Sequence, residues 1–280
     1  MLSNERGVCG FPNCGEFVQD AFRTFENFIR ATAIMSTYSL LQVTLDQRID
    51  RDALEEASRV ASSVARADCA RMGRDLFGIL VSGLGFSEAS AFQAELMRWN
   101  FPTDLVADDA LPLLHEPFTV QALEVIGEVL VFSDAMGRKQ TRPLTDLVFM
   151  AGGFVQQIEF KRDSQLTLVN PVSGGPTVEI ERRRWEENRT EFRLDFFFWA
   201  SPNRLRLSMS ESTTFFYQGH PLRLRHAAAI HAMVDDLLTL LPPERINVGL
   251  KSHHQPILYP GKTSYEEEIR WHFYQLTPRA

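Results

Sequence analysis

The sequence predicts an α+β protein in which a helical first half, residues 1–142, packs beside a mainly antiparallel sheet in residues 143–280. Two observations support this fold class. From Phe154 to Leu224, apolar and charged residues alternate at a period of two, which is typical of strands with one buried and one exposed face. Earlier in the chain, apolar residues recur mostly at spacings of three and four, which favours helices. No sharp change in composition separates the halves, so they could also form a single compact domain.

Three segments carry the helical prediction for the first half. Helical spacing begins at Glu16, and the apolar residues that follow form one stripe to about Tyr38. Asp50 or Asp52 can cap a second helix at 53–72, whose apolar stripe consists mostly of alanine. A third helix is expected at 87–99, with Ser87 as its N-cap.

The remaining segments of the first half are less regular. Residues 39–45 could be a short strand or the tail of the first helix, because periodicity cannot decide over seven residues. Residues 100–118 contain three prolines and predict an extended connection. Residues 119–132 resume helical spacing, although 125–132 could also be a strand. The segment 133–142 predicts a loop at the approximate boundary between the halves.

The second half contains a series of strand candidates separated by turn signals. They are Phe154–Arg162, Gln165–Val169, Thr177–Arg184, Thr190–Ala200, Arg204–Ser210 and Thr213–Tyr217. The short connections between them imply antiparallel pairing. A helix at 225–241, ended by two prolines, is expected to cover the apolar face of the sheet. A short strand at 256–259 and a short helix at 265–274 complete the prediction.

Charge and cysteine content limit the classes of function. The formal net charge of −7 argues against a broad nucleic-acid surface, which needs clustered positive charge. No apolar run approaches the roughly 20 residues that cross a bilayer, and the first residues show no secretory signal. Cys9, Cys14 and Cys69 are too few for a disulfide framework, which indicates a reducing, cytoplasmic location.

A charged strand face provides the first candidate site. Glu179 and Glu181 alternate with Val178 and Ile180, so both carboxylates point to the same side of a strand. Arg183 follows on that side. A solvated sheet face with cross-strand ion pairs would produce the same alternation.

The same string, VEIERRR, resembles the glutamate-x-glutamate-x-basic strand of CYTH-type triphosphate tunnel enzymes. The resemblance implies that Glu179 and Glu181 bind Mg²⁺ and that Arg183 binds phosphate. Hard oxygen ligands suit Mg²⁺, and arginine forks suit phosphate. Strand alternation alone adds three further phosphate-binding candidates: Arg193, Arg204 and Arg206.

A cysteine pair, Cys9 and Cys14, provides the second candidate site. The surrounding string CGFPNC resembles the first cysteine pair of a zinc-binding family of RNA polymerase II tail phosphatases. A structural zinc site needs four ligands. The pair could therefore be two loop thiols without a metal, or part of a site that Cys69 and a distant histidine complete.

Histidines provide two further candidates. His231 and Asp235 have the HxxxD spacing that resembles CoA-dependent acyltransferases, in which the histidine is a general base. The segment around them is helical in composition, so partly exposed helix residues are the alternative. The C-terminal residues contain a second set that could form a metal or acid–base cluster: His253, His254, Tyr259 and His272.

Several motifs that define enzyme classes are missing from the sequence. There is no G-x4-G-K-[ST] phosphate loop, no G-x-G-x-x-G after a strand, no H-E-x-x-H and no G-x-S-x-G. The leading hypothesis is therefore a non-catalytic assembly component without a cofactor, which binds a protein partner or a second copy of itself. Its 21 phenylalanines could supply such an interface. The alternative is a Mg²⁺-dependent enzyme or binder that acts on a phosphorylated ligand at the charged sheet face.

Overall fold

The computed structural model describes five parts of the chain: residues 36–65, 69, 77–169, 177–199 and 204–277. Within 158–169 and 177–188 it describes the backbone but not the side chains. The cysteine pair Cys9 and Cys14 and most of the helix predicted from Glu16 lie outside the described residues.

The first part of the described chain folds around a three-stranded sheet. Its central strand, β1 (Tyr38–Gln42), pairs antiparallel with β2 (Ile79–Leu84) and β3 (Thr103–Ala107). Helices α1 (Arg51–Ser58) and α2 (Phe86–Arg98) pack on this sheet. The core between these elements includes Leu40, Leu54, Ala57, Leu84, Phe92 and Leu96.

A side-chain cap explains where α1 begins, whereas α2 has Gly85 at its N-cap and no side-chain cap, so the predicted N-cap Ser87 is wrong. The carboxylate of Asp50 accepts a hydrogen bond from the backbone amide of Asp52 at 3.2 Å, which confirms one of the two predicted caps of α1. Helix α2 starts one residue before Ser87, and Gly85 precedes it. Glu88, in its first turn, accepts a 2.6 Å hydrogen bond from the backbone amide of Ser63. That bond ties α2 to the segment that follows α1.

A five-stranded sheet, here called the central sheet, forms the middle of the protein. Its order is β13 (Leu258–Tyr259), β8 (Leu147–Val169), β9 (Thr177–Phe198), β10 (Arg204–Met209) and β4 (Pro117–Val120). The pairs β8–β9 and β9–β10 are antiparallel, whereas the two edge strands pair parallel to their neighbours. The two long strands continue well beyond their neighbours.

A second five-stranded sheet packs against the central sheet. Its order is β12 (His220–Leu222), β11 (Phe215–Tyr217), β5 (Ala122–Ile126), β6 (Val129–Ser133) and β7 (Lys139–Pro143). All pairs are antiparallel except β5–β11. Single turns of 3₁₀ helix lie at Asp108–Ala110, Leu144–Asp146 and Pro243–Arg245.

Three helices complete the described fold: α3 (Ala227–Leu238), α4 (Val248–Lys251) and α5 (Lys262–Leu276). Helix α3 fills the large core with residues at helical spacing, namely Ile230, Met233, Val234 and Leu237. Helix α5 covers the opposite face of the central sheet through Tyr265 and Ile269. The indole of Trp271 donates a 2.6 Å hydrogen bond to the carbonyl of Gln42, so α5 also contacts the three-stranded sheet.

The prediction of a helical first half is wrong, because strands dominate the N-terminal and middle parts of the described chain. The segment 119–132 shows the physical cause. It forms parts of β4 and β6 with β5 between them, and Gly127 takes a φ of +58° in the turn between β5 and β6. Each turn shifts the phase of the alternation. The buried residues Val120, Leu123 and Leu130 therefore fall three and seven positions apart, as they would on a helix.

Other predictions for the chain are partly right. The connection predicted at 100–118 contains β3 and the start of β4, and β7 occupies the end of the loop predicted at 133–142. Antiparallel sheets with covering helices are present, and the helix expected at 225–241 is α3. The base of the central sheet, however, is covered on both faces rather than one. A domain boundary near residue 142 stays a prediction.

Close backbone packing joins α4 to the central sheet. A Cβ atom placed on Gly249 would overlap the carbonyl oxygen of Gly152 and the hydroxyl of Tyr259. The side chain of Asn247 reinforces this contact, accepting from the amide of Gly152 at 2.8 Å and donating to its carbonyl at 3.1 Å.

We therefore expect Gly249→Ala to lower the free energy of unfolding by about 1–3 kcal/mol, since overpacking forces the backbones apart. Urea denaturation would measure this change. Gly261→Ala is the matched control, because Gly261 has extended backbone and nothing within 4 Å of its added Cβ. Equal stability of the two variants would contradict the packing argument.

Candidate functional sites

A buried ionic cluster occupies the base of the central sheet. Asp195 on β9 is fully buried and lies opposite Arg206 on β10. Its carboxylate accepts two hydrogen bonds from Arg206, at 2.9 and 3.1 Å, and one from Arg204 at 2.7 Å. Such charge-assisted bonds are strong when the groups are removed from water.

Helix α5 closes this cluster. The hydroxyl of Tyr265 donates a 2.8 Å hydrogen bond to Asp195, and Glu266 accepts one from Arg204 at 3.0 Å. Burial raises the pKa of Asp195, but the two neighbouring arginines outweigh that effect and hold the pKa below its usual range. Burial, together with Asp195, raises the pKa of Tyr265 well above its usual range. Two arginines and two carboxylates leave the cluster without net charge.

The three arginines added by strand alternation are all buried in ion pairs. Arg204 and Arg206 belong to the Asp195 cluster, so their charge is compensated inside the protein. Arg193 is 5% exposed and donates to Glu191 at 2.8 Å. Alternation placed these residues correctly on one face of the sheet. It could not show that α5 covers that face.

The predicted Mg²⁺ ligands, Glu179 and Glu181, lie on the far part of β9 with Arg183. Glu181 and Arg193 are twelve residues apart on the same strand, which corresponds to roughly 40 Å. The described central sheet is also open, with β4 and β13 as its edges. The topology thus separates the glutamates from the three buried arginines. Binding of Mg²⁺ and a phosphorylated ligand stays a prediction.

The far part of the β8–β9 hairpin has no neighbouring strand among the described residues. Strand β13 pairs with β8 only at Phe154 and Val155, and β10 pairs with β9 only as far as Phe192. Beyond them, 156–169 and 177–190 pair with each other without interruption; we call this two-stranded segment the β-arm. At roughly 3.3 Å per residue it extends for about 45 Å.

A histidine cluster lies where α3 meets the turn that follows α4. Nitrogen atoms of His231, His253 and His254 lie within 4.8 Å of one another. Asp235, one helical turn after His231, lies 2.9 Å from His253 Nε2 and 3.3 Å from His254 Nε2. The structure thus unites the HxxxD pair with the adjacent histidines, which the sequence presented as separate candidates.

The other two residues of the second predicted set lie elsewhere. Tyr259 is buried, donates a short hydrogen bond to Glu268 and accepts one from Asn247 at 3.0 Å. His272 packs against the ring of Phe149, with 5.2 Å between centroids, and lies 3.5 Å from Glu268. Both support the packing of α5 rather than the histidine cluster.

Comparison with known proteins finds no family model, curated protein or solved structure that matches the chain. In the part of the chain that the structure describes, no helix is both long and apolar enough to cross a membrane. Function must therefore be inferred from the sites themselves.

We expect Asp195→Asn to lower the free energy of unfolding by about 3–5 kcal/mol, because it leaves Arg204 and Arg206 buried without their shared carboxylate. Chemical denaturation would measure the loss. Glu211→Gln removes the charge of an exposed carboxylate and should change stability by less than about 0.5 kcal/mol. A similar effect for both variants would show that the cluster contributes little.

The stability difference between the wild type and Asp195→Asn should also depend on pH. The folded pKa of Asp195 is below its unfolded value of about 3.9. Its contribution is therefore complete above the unfolded pKa and decreases as pH falls through the folded pKa. Urea midpoints of both proteins from neutral pH to acid should converge at the acidic end. Midpoints that stay equally far apart would refute the depressed pKa.

Proposed function

We propose that the protein is a non-catalytic assembly component that binds a second copy of itself through the β-arm. The proposal rests on the edges of the β-arm, along which no other described strand lies. An isolated two-stranded ribbon is marginally stable in water, and its unpaired backbone groups are a template for further strand pairing. A ribbon of this length therefore gains most from another strand along its edge.

The charge composition of the β-arm favours a second copy as the partner. Residues 156–190 contain equal numbers of acidic and basic residues, whereas the whole chain has a net charge of −7. Two copies consequently repel each other less at the β-arm than elsewhere. The charges on β9 also occur in blocks: a basic run at 182–184 precedes the acidic pair Glu186 and Glu187.

These blocks are complementary to themselves in an antiparallel arrangement. If β9 pairs with β9 of a second copy about a two-fold axis at Trp185, Arg183 lies opposite Glu187 and Arg184 lies opposite Glu186. Two-fold symmetry repeats both pairs, which gives four opposite-charge pairs in an isologous interface. Each cross-strand pair contributes roughly 0.2–1 kcal/mol.

The proposal includes a cytoplasmic location. It also includes the absence of a catalytic cofactor. Three cysteines are too few for a disulfide framework. The described thiol, Cys69, is buried and unbridged. The alternative is that a different protein binds the edge of the β-arm. The measurement described next distinguishes this alternative from self-assembly.

We expect the wild type to be a dimer in sedimentation or light-scattering measurements and the double variant Arg183→Glu/Arg184→Glu to be largely monomeric. Reversing both charges replaces four attractive pairs by repulsive ones, which should weaken dimerisation by about 10–100-fold. Adding Glu186→Arg and Glu187→Arg to that variant restores opposite charges and should restore the dimer.

The rescue is the matched control, because all three proteins differ only on the outer part of β9. A monomeric wild type at high concentration would overturn self-assembly. A dimer that both the double and the quadruple variants retain would place the interface away from the β-arm.

A further inference from the structure

We propose that His231, Asp235, His253 and His254 form a binding site for a divalent transition-metal ion, with Zn²⁺ as the best match. The proposal concerns α3 and the turn after α4, and it is independent of the β-arm. It rests on three imidazoles from two separate segments of the chain that converge, and on Asp235, which contacts two of them.

Two of the distances match those between the ligands of a tetrahedral ion. Ligand atoms bound at about 2.0–2.1 Å in a tetrahedron are about 3.3 Å apart. Asp235 Oδ1 lies 2.9 and 3.3 Å from the Nε2 atoms of His253 and His254. One ring nitrogen of each histidine lies within 4.8 Å of those of the other two. Asp235 and His254 have side chains that are 52% and 65% exposed, so both can adjust by rotation.

The hydrogen bonding of His253 favours a cation between these groups. Its Nδ1 lies 2.8 Å from the carbonyl of Leu250, which can only accept, so Nδ1 carries the proton. In a neutral ring, Nε2 then presents a lone pair to the carboxylate of Asp235 at 2.9 Å. Two acceptors at this distance repel each other, so either a second ring proton or a metal ion must lie between them.

The same contact matches the usual surroundings of a metal-binding imidazole. Histidine ligands generally donate their second ring N–H to a carbonyl or carboxylate, which fixes the ring orientation. His253 donates in this way to Leu250 and is 5% exposed. His231 adds a buried Nδ1 that has no hydrogen-bond partner within the described structure. A bound ion would account for the polar atoms of both histidines.

The donor set selects the class of ion. Imidazole nitrogens suit Zn²⁺ and its transition-metal neighbours, whereas Mg²⁺ and Ca²⁺ prefer oxygen ligands throughout. Three imidazoles and one carboxylate complete a four-coordinate site, as in structural rather than catalytic zinc centres. The ion would therefore fasten α3 to the turn that follows α4.

Zinc titration of the full chain, prepared without a histidine tag, tests the proposal. Calorimetry should give one high-affinity Zn²⁺ per chain, and Co²⁺ should produce the visible absorption bands of tetrahedral coordination. Zn²⁺ should raise Tm, because it binds the folded state in preference to the unfolded chain. Mg²⁺ should neither bind with high affinity nor raise Tm.

His254→Gln and Asp235→Asn remove exposed ligands, so both variants should fold normally and bind Zn²⁺ at least 10–100-fold more weakly, roughly the loss seen for metal-site substitutions. His220→Gln, which removes an exposed imidazole on β12, should bind as the wild type does. Cys9→Ser/Cys14→Ser should also retain the bound ion.

Two results would overturn the assignment. One is the lack of a Zn²⁺-dependent heat or Tm shift in the wild type. The other is unchanged affinity in His254→Gln and Asp235→Asn, with loss of binding in the cysteine variant, which would place the ion at Cys9 and Cys14 instead.

Discussion

The buried carboxylate of Asp195 is the constraint on which the rest of the structure depends. Burial of Arg204 and Arg206 depends on it, because a buried charge without its partner is very costly. The cluster also fixes the register between β9 and β10, since a slip of one residue would turn Asp195 to the other face of the sheet. With Tyr265 in place, it joins the sheet to α5 as well.

This anchoring matters for the β-arm. The hydrogen bonds that link Gln157, Glu191 and Arg193 lie where the neighbouring strands end, so the β-arm leaves the protein from an ordered base. An ordered base lowers the conformational entropy that the β-arm loses when it binds a partner. The histidine cluster involves α3, on the other face of the central sheet, and thus serves a different part of the fold.

The sequence predicted strands correctly where the alternation of apolar and polar residues is uninterrupted, as at β10. The prediction failed where a turn shifts the alternation or where another element covers the face of the sheet. Asp163 and Ser164 suggested a break in β8, yet they pair with Arg183 and Arg182 as part of a continuous ladder. Alternation also grouped Arg204 and Arg206 with exposed residues, because their contact with Glu266 on α5 is long-range and no local pattern contains it. For the same reason the histidines were visible as two motifs but not as one cluster.

The contact between α5 and Asp195 has a consequence during translation. Strands β9 and β10 emerge from the ribosome before Tyr265 and Glu266. During that interval the strands have been synthesised, but Asp195 and Arg204 lack their hydrogen-bond partners on α5. The apolar face that α5 later covers is exposed over the same interval. Such a nascent chain presents uncovered strands and is at risk of aggregation. Shielding by a chaperone is most valuable to this protein until α5 has been synthesised.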